Sequence, residues 1–286
     1  MSALVWSLGP EAKGAQPDTI PPARKLKVFL LAGQSNMEGK GDGSKLTAAD
    51  GARLEKAQKH VRFAYNRQPV VPLNVTAAGA GNKKRFGIDY SFGPELFFGL
   101  GISDAWPNDD ILLIKRSLGA TSLYGCWNPD WTVEKATKMG EAQIVPLFAD
   151  FLAYIREVLA PYKREDYEFS GMLWVQGEAD SNVSKNGPEP ADTYGQNLRN
   201  LIQRIRQETG AAELPFIMVD VGGGKVVEGM KATANTMKAV SFISQSKDPQ
   251  SPHYFPKHEV GHYDYEGQKR IGTLLADAYL KNYATK

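Results

Sequence analysis

Four short apolar runs, each ending abruptly in small or polar residues, constrain this chain more than any other feature. Residues 28–31 break into Ala32-Gly33-Gln34-Ser35-Asn36, and residues 110–115 run into Ser117, Leu118, Gly119 and Ala120. Residues 169–175 end at Gln176-Gly177-Glu178, and residues 215–221 at Gly222-Gly223-Gly224. Runs of this length and composition suit strands buried on both faces, as in a parallel sheet covered by helices on each side. Helical spacing of apolar residues fills the intervals. Ile144, Phe148, Phe151, Leu152, Ile155 and Leu159 precede Pro161, and Leu198, Leu201, Ile202 and Ile205 precede Gly210. Shorter helices are expected over 48–58 and from Pro94 to about Ile102, with others over 230–245 and 265–283. Residues 61–65 and 70–75 read as short strands or extended loop, and the basic segment 79–87 as a turn-rich loop. Strand–helix alternation without repeats predicts a single-domain α/β fold, a doubly wound parallel sheet with helices on both faces.

A length of 286 residues fits one large domain, here 25–286, with residues 1–24, rich in Pro, Ala and Gly, as a flexible tail. Neither a basic start nor a long apolar run marks that tail as a signal peptide. The net charge of +2 calls for no nucleic acid or other polyanion, and no apolar run approaches a membrane span. The single Cys126 excludes an intrachain disulfide.

In a doubly wound fold, functional loops gather at the carboxyl ends of the strands. Ser35 stands on the first such turn; Ser117, Thr121, Gln176, Glu178 and the glycines at 222–224 stand on others. An imidazole base must be one of four histidines, at 60, 253, 258 and 262, and His60 lies in a basic helical segment that reads as surface. The other three cluster, but their spacing with the nearby acids fits no familiar zinc pattern. Ester hydrolysis by serine needs a base within hydrogen-bond reach and an acid that orients it. Glu259 and His262, three residues apart on one loop, can supply both; Asp264 and Glu178 are the competing carboxylates.

AGQSNMEG at 32–39 resembles the first block of the SGNH hydrolases, in the form carried by carbohydrate esterase family 6 and the sialate O-acetylesterase-like proteins. SFGPEL at 91–96, KRSLGATSLYGCW at 115–127, WVQGEADS at 174–181 and HYDYEGQKRIG at 262–272 resemble the later blocks in the same order. The resemblance runs from about Lys25 to the end of the chain, and implies a flavodoxin-like sheet and a serine esterase that removes O-acetyl groups from a carbohydrate. Acetylxylan, sialate and related glycans are not separated by it. It makes Ser35 the nucleophile, His262 the base and Glu259 the orienting acid, with the oxyanion held by the N–H groups of Ser35 and Gly93 and the amide of Gln176. Gln34, Asn36, Glu178, Thr121 and Trp127 follow as weaker substrate-binding candidates, and Tyr124, Trp127 and Trp131 as a sugar-stacking wall or as core. No cofactor or metal is implied, the partner is the acetylated carbohydrate itself, and the setting is secreted or periplasmic. Two departures stand out: Glu259 where the family has Asp, and Ala120 where it often has a second glycine. A carbohydrate-binding protein that kept the scaffold without turnover is the alternative, and a lipid esterase is disfavoured for want of a long apolar lid.

Overall fold

The computed structural model describes residues 24–284, so the expected tail at 1–24 lies, apart from Arg24, outside the described residues. Ten strands occur in them: β1 (Leu26–Gly33), β2 (Gly41–Asp42), β3 (Val61–Tyr65), β4 (Val71–Pro72) and β5 (Thr76–Ala77), then β6 (Tyr90–Phe92), β7 (Ile111–Ser117), β8 (Tyr167–Val175), β9 (Phe216–Val219) and β10 (Val240–Ile243). Seven form the main sheet in the order β10-β9-β8-β1-β7-β3-β4. Every pairing in it is parallel except that of β4, an antiparallel edge strand beside β3. The remaining three make a small antiparallel sheet, β2-β6-β5. The fold is the doubly wound α/β type that the alternating pattern predicts.

The apolar run in β1 is buried on both faces because it lies mid-sheet, between β7 and β8. Phe29 meets Phe98 and Tyr279 edge-on at 5.0 and 4.9 Å between centroids, on the face covered by helices Pro94–Ala105 and Tyr265–Asn282. Trp174 pairs in register with Ala32 and therefore faces the other way, against Trp127 at 5.5 Å. Trp127 in turn packs on Phe151 of helix Leu147–Leu159. Trp127 is fully buried, its Nε1–H donating to Thr121 Oγ1 at 3.1 Å, so it is core rather than part of a sugar-binding wall.

Three local expectations are corrected. Segment 79–87 contains a helix, Ala80–Phe86. Its glycines suggest a turn, but Gly87 takes the left-handed conformation that ends helices, with Lys83, Lys84 and Arg85 in the last turn where the dipole favours cations. Residues 230–245 are not one helix: helix Lys225–Thr236 ends first, and Val240, Phe242 and Ile243 form the edge strand β10. Such a run is too short for its period to distinguish strand from helix, and pairing with β9 decides. His60 is a joint, with Nδ1 2.6 Å from the Asp109 carbonyl and Nε2 2.9 Å from Ser103 Oγ.

Candidate active site

Because the central strands are parallel, β1, β7, β8, β9 and β10 all deliver their following loops to one edge of the sheet. β1 leads straight into the short helix Ser35–Glu38. The chain can turn there only because Gly33 lacks a side chain: at φ +154° a Cβ would stand 2.1 Å from the Val175 carbonyl oxygen. Ser35 is nearly buried, at 9 % exposure, and its Oγ lies 3.0 Å from His262 Nε2. At that separation an imidazole nitrogen can take the hydroxyl proton. These two residues come together across 227 positions of sequence.

His262 is held through its backbone. The turn 258–262 is closed by N–H donation from His258 to the His262 carbonyl at 3.0 Å. Lys257 bridges Tyr263, whose N–H donates to Asn36 Oδ1 at 3.1 Å. His262 itself has φ +69°, a left-handed conformation costly for a residue with a Cβ and characteristic of functional sites. The Phe86 ring packs edge-on against the imidazole at 5.5 Å. Burial, and then the positive charges of Lys40 and Arg85, push the His262 pKa below its ordinary value and favour the neutral ring.

The expected orienting acid is not in place. Glu259 is exposed on the tight turn and makes no hydrogen bond to His262, whose buried Nδ1 has no partner among the described residues. Asp264 does what a residue there can do best, capping helix Tyr265–Asn282 by accepting from the Gly267 N–H at 3.0 Å. Glu178 has a buried carboxyl bound to Asn36 Nδ2 at 2.5 Å, with Oε2 unpartnered among the described residues, and burial raises its pKa. Asn36, with its amide committed at both ends, ties the β1 turn to the loops bearing Glu178 and His262.

Two of the three expected oxyanion donors also point elsewhere. The Gly93 N–H donates to Glu95 Oε1 at 2.9 Å, within a buried pair whose other oxygen takes Lys115 Nζ at 2.6 Å. Gly93 packs against Gly39, where a Cβ would come within 2.2 Å of the Gly93 Cα, so its role is close packing beneath the site. Gln176 is fully buried, and its Nε2 lies 2.6 Å from Asp180 Oδ2, 3.1 Å from the Thr121 carbonyl and 3.3 Å from Gln34 Oε1. Asp180, its pKa pushed up to about 7 by burial, also accepts the N–H groups of Leu123 and Tyr124. Thr121, fully buried and donating to the Leu118 carbonyl, is likewise inside the protein.

Gln34 is anchored beside Gln176 by its oxygen. Its Oε1 accepts from Gln176 Nε2, from the Ala179 N–H at 3.2 Å and from the Gly177 N–H at 3.5 Å. A flipped amide would set its own NH₂ against those donors, so the orientation is determined and Nε2 is left for the cavity. On the opposite wall the loop after β7 passes close by, since a Cβ on Gly119 would lie 3.5 Å from the Ser35 Cβ. The Gly119 N–H donates to Glu38 Oε1 at 2.8 Å, while the N–H groups of Ser35 and Ala120 have no protein partner among the described residues. Ala120 sits at φ +59°, the conformation that a second glycine there would adopt without strain.

The cavity beside Ser35 and His262 has a volume of about 540 Å³, within the range of small-ligand sites. Phe86, Arg85 and Asn82 line it from helix Ala80–Phe86, together with Lys40, Lys185 and Asn182. Sequence reading missed the first three, and the helix-end signals at Lys83–Gly87 were the available clue. Tyr124, Trp127 and Trp131 do not line it. Among the described residues no group of three or more His, Cys, Asp or Glu is placed to hold a metal ion, and no helix is long and apolar enough to cross a membrane.

Comparison with known proteins places this geometry in a family. Residues 25–281 match the model of the carbohydrate esterases described as sialic acid-specific acetylesterases. A probable carbohydrate esterase of Arabidopsis thaliana is 27 % identical over 286 aligned positions, covering 94 % of this chain and 95 % of that one. The X-ray structure under the same Arabidopsis name superposes with a TM-score of 0.66 at 20 % identity, covering 91 % of this chain and all of that one. NanS gives a TM-score of 0.59 at 14 % identity over 90 % of this chain and 98 % of its own. A carbohydrate acetylesterase from Xanthomonas citri gives 0.55 at 17 % identity, over 90 % of this chain and 56 % of its own. With Ser35 and His262 at the carboxyl edge of the parallel sheet and the match spanning almost every described residue, the chain belongs to the carbohydrate esterase family of sialic acid-specific acetylesterases.

Proposed function

We propose that this protein is a serine esterase that removes O-acetyl groups from a carbohydrate through an acetyl-Ser35 intermediate. The observation that carries the reading is the 3.0 Å contact between Ser35 Oγ and the neutral-favouring His262 Nε2 at the open edge of the sheet. Ser35 Oγ attacks the ester carbonyl carbon as His262 takes the hydroxyl proton. Collapse of the tetrahedral intermediate breaks the bond to the sugar oxygen, which receives that proton from His262. Water then attacks the acetyl carbon as His262 takes its proton, and collapse breaks the bond to Ser35 Oγ, which receives that proton as acetic acid leaves. The charge on the intermediate is met by the N–H groups of Ser35 and Ala120 and by Gln34 Nε2, fixed donors that need no reorganisation as the charge develops.

Incubation with p-nitrophenyl acetate, quenched rapidly and read by mass spectrometry, should show a burst of p-nitrophenol and an acetyl group on Ser35. A scaffold that only binds carbohydrate gives neither. Because the base acts when neutral and its pKa is lowered, the acid limb of kcat/KM should lie below pH ~6.5, the ordinary imidazole value. Arg85→Ala removes a cation that holds the pKa down, so the limb should move to higher pH. A shift the other way, or none, refutes the assigned cause. Since Glu259 does not touch His262, Glu259→Gln should change kcat less than about tenfold, against roughly 10⁴-fold where a triad acid is replaced by its amide. A loss near the larger figure, with an unchanged melting temperature, would restore Glu259 as the acid.

A further inference from the structure

Glu38 closes the short helix that begins at Ser35, and its side chain reaches across to the loop after β7. Its Oε1 accepts the Gly119 N–H at 2.8 Å, and its Oε2 lies 2.9 Å from Lys40 Nζ. The Glu38 carbonyl takes Lys115 Nζ at 3.1 Å, and that buried ammonium is itself bound to Glu95. Glu38 is thus fixed through its main chain and through one carboxylate oxygen, and the other oxygen holds the loop.

The loop so held carries an oxyanion donor, the Ala120 N–H. Among the described residues, Gly119 and Ala120 make no hydrogen bond except the one to Glu38. The next tethers lie one residue away on each side. The Leu118 N–H donates to the Gly33 carbonyl at 3.3 Å, and the Thr121 carbonyl accepts from Gln176 Nε2 at 3.1 Å. Ala120 is exposed, so packing does not fix it, yet it stands at φ +59°. A left-handed residue with a Cβ persists only where its surroundings impose that conformation. The approach is close, since a Cβ on Gly119 would lie 3.4 Å from Glu38 Oε2 and 3.5 Å from the Ser35 Cβ. A carboxylate that accepts a main-chain N–H is a strong tether. This one ties the loop to the helix that carries the nucleophile.

We propose that Glu38 is a positioning residue for the reaction, holding the Gly119–Ala120 turn at a fixed distance from Ser35 so that the Ala120 N–H stays aimed at the acyl oxygen. This rests on the esterase reading above. The tether takes no part in bond making; it keeps the loop from having to reorganise as charge develops on the intermediate.

The test compares Glu38→Gln, Glu38→Met and Glu38→Ala. The first two are alike in length, remove the same charge and deprive Lys40 of the same partner, but only the first keeps an oxygen that can accept from Gly119. The substrate is p-nitrophenyl acetate, assayed above the acid limb and below the melting temperature of every variant. Glu38→Met and Glu38→Ala should lower kcat by about tenfold or more, short of the roughly 10²–10³-fold lost with a donor itself. Glu38→Gln should recover most of that loss, with KM little changed in all three. If Glu38→Ala does not fold, the comparison of Glu38→Gln with Glu38→Met decides alone. Equal losses in those two would make charge the cause and overturn the tether. An unchanged kcat in all three would overturn it as well, and so would a change confined to KM, which makes Glu38 a contact of the ester. Failure of the unmodified protein to hydrolyse p-nitrophenyl acetate would instead remove the esterase reading, and this inference with it.

Discussion

Ser35→Ala and His262→Ala are each expected to lower kcat for acetate esters by roughly 10⁴-fold or more, and the double variant to lose little beyond either single one. The magnitude follows from the 3.0 Å contact between the two groups. Without the hydroxyl there is no acyl acceptor, and without the imidazole the hydroxyl keeps its proton. Non-additivity follows because the two act in one step, so removing the first leaves the second nothing to do. Both substitutions should be nearly silent in a thermal melt. Ser35 is a small side chain whose hydroxyl has one partner among the described residues, where the buried His262 Nδ1 has none. Turnover by Ser35→Ala close to that of the unmodified protein would sink the proposal that this serine forms the intermediate.

The second large effect separates two glutamines. Gln34→Ala is expected to lower kcat by about 10²–10³-fold with KM little changed, the signature of a lost oxyanion donor. Gln176→Ala should also lower activity, but by a different route. Its amide is fully buried and hydrogen-bonded to Asp180, Thr121 and Gln34, and its Oε1 accepts from Tyr194 at 3.1 Å. Removing it leaves buried groups unsatisfied, at about 1–3 kcal/mol each. Gln34→Ala strands the donors of Gln176, Gly177 and Ala179 as well, so both variants should melt lower, and what distinguishes Gln34→Ala is a loss confined to kcat in protein that is still folded at the assay temperature. If Gln176→Ala instead lowered kcat with an unchanged melt while Gln34→Ala kept its activity, the donor would be Gln176 after all.

These glutamines also mark how far local sequence reaches. The apolar runs ending at Gly33, Ser117, Val175 and Val219 are legible as parallel strands because burial on both faces imposes a composition that a strand carries by itself. The long helices read nearly as well: Leu147–Leu159 and Tyr265–Asn282 fall within a few residues of their periodic patterns. Short elements did not, since helix Ala80–Phe86 and strand β10 span too few residues for a period and are stabilised by what they pack against. That cost the reading Phe86, Arg85 and Asn82, which form a wall of the site.

From its sequence alone, then, this chain determines its α/β class, the order of its principal strands and helices, and the delivery of Ser35 to the carboxyl edge of the sheet. Hydrophobic periodicity and small-residue breaks are properties of contiguous segments, so no distant residue is needed to read them. Only the tertiary structure decided where each polar group at that edge points. Gln176 faces inward because, beside Asp180 four positions on, its amide finds partners 55 and 142 positions away, at Thr121 and Gln34. Gln34 faces the cavity because those same contacts hold its oxygen. The Gly93 N–H is taken by Glu95, itself committed to Lys115. A hydrogen bond is directional, and whether a near partner such as Glu95 or Asp180 is itself held in place depends on distant groups such as Lys115, Leu123 and Tyr124, so the type of a residue and its place in a motif leave its direction open until the strands are assembled.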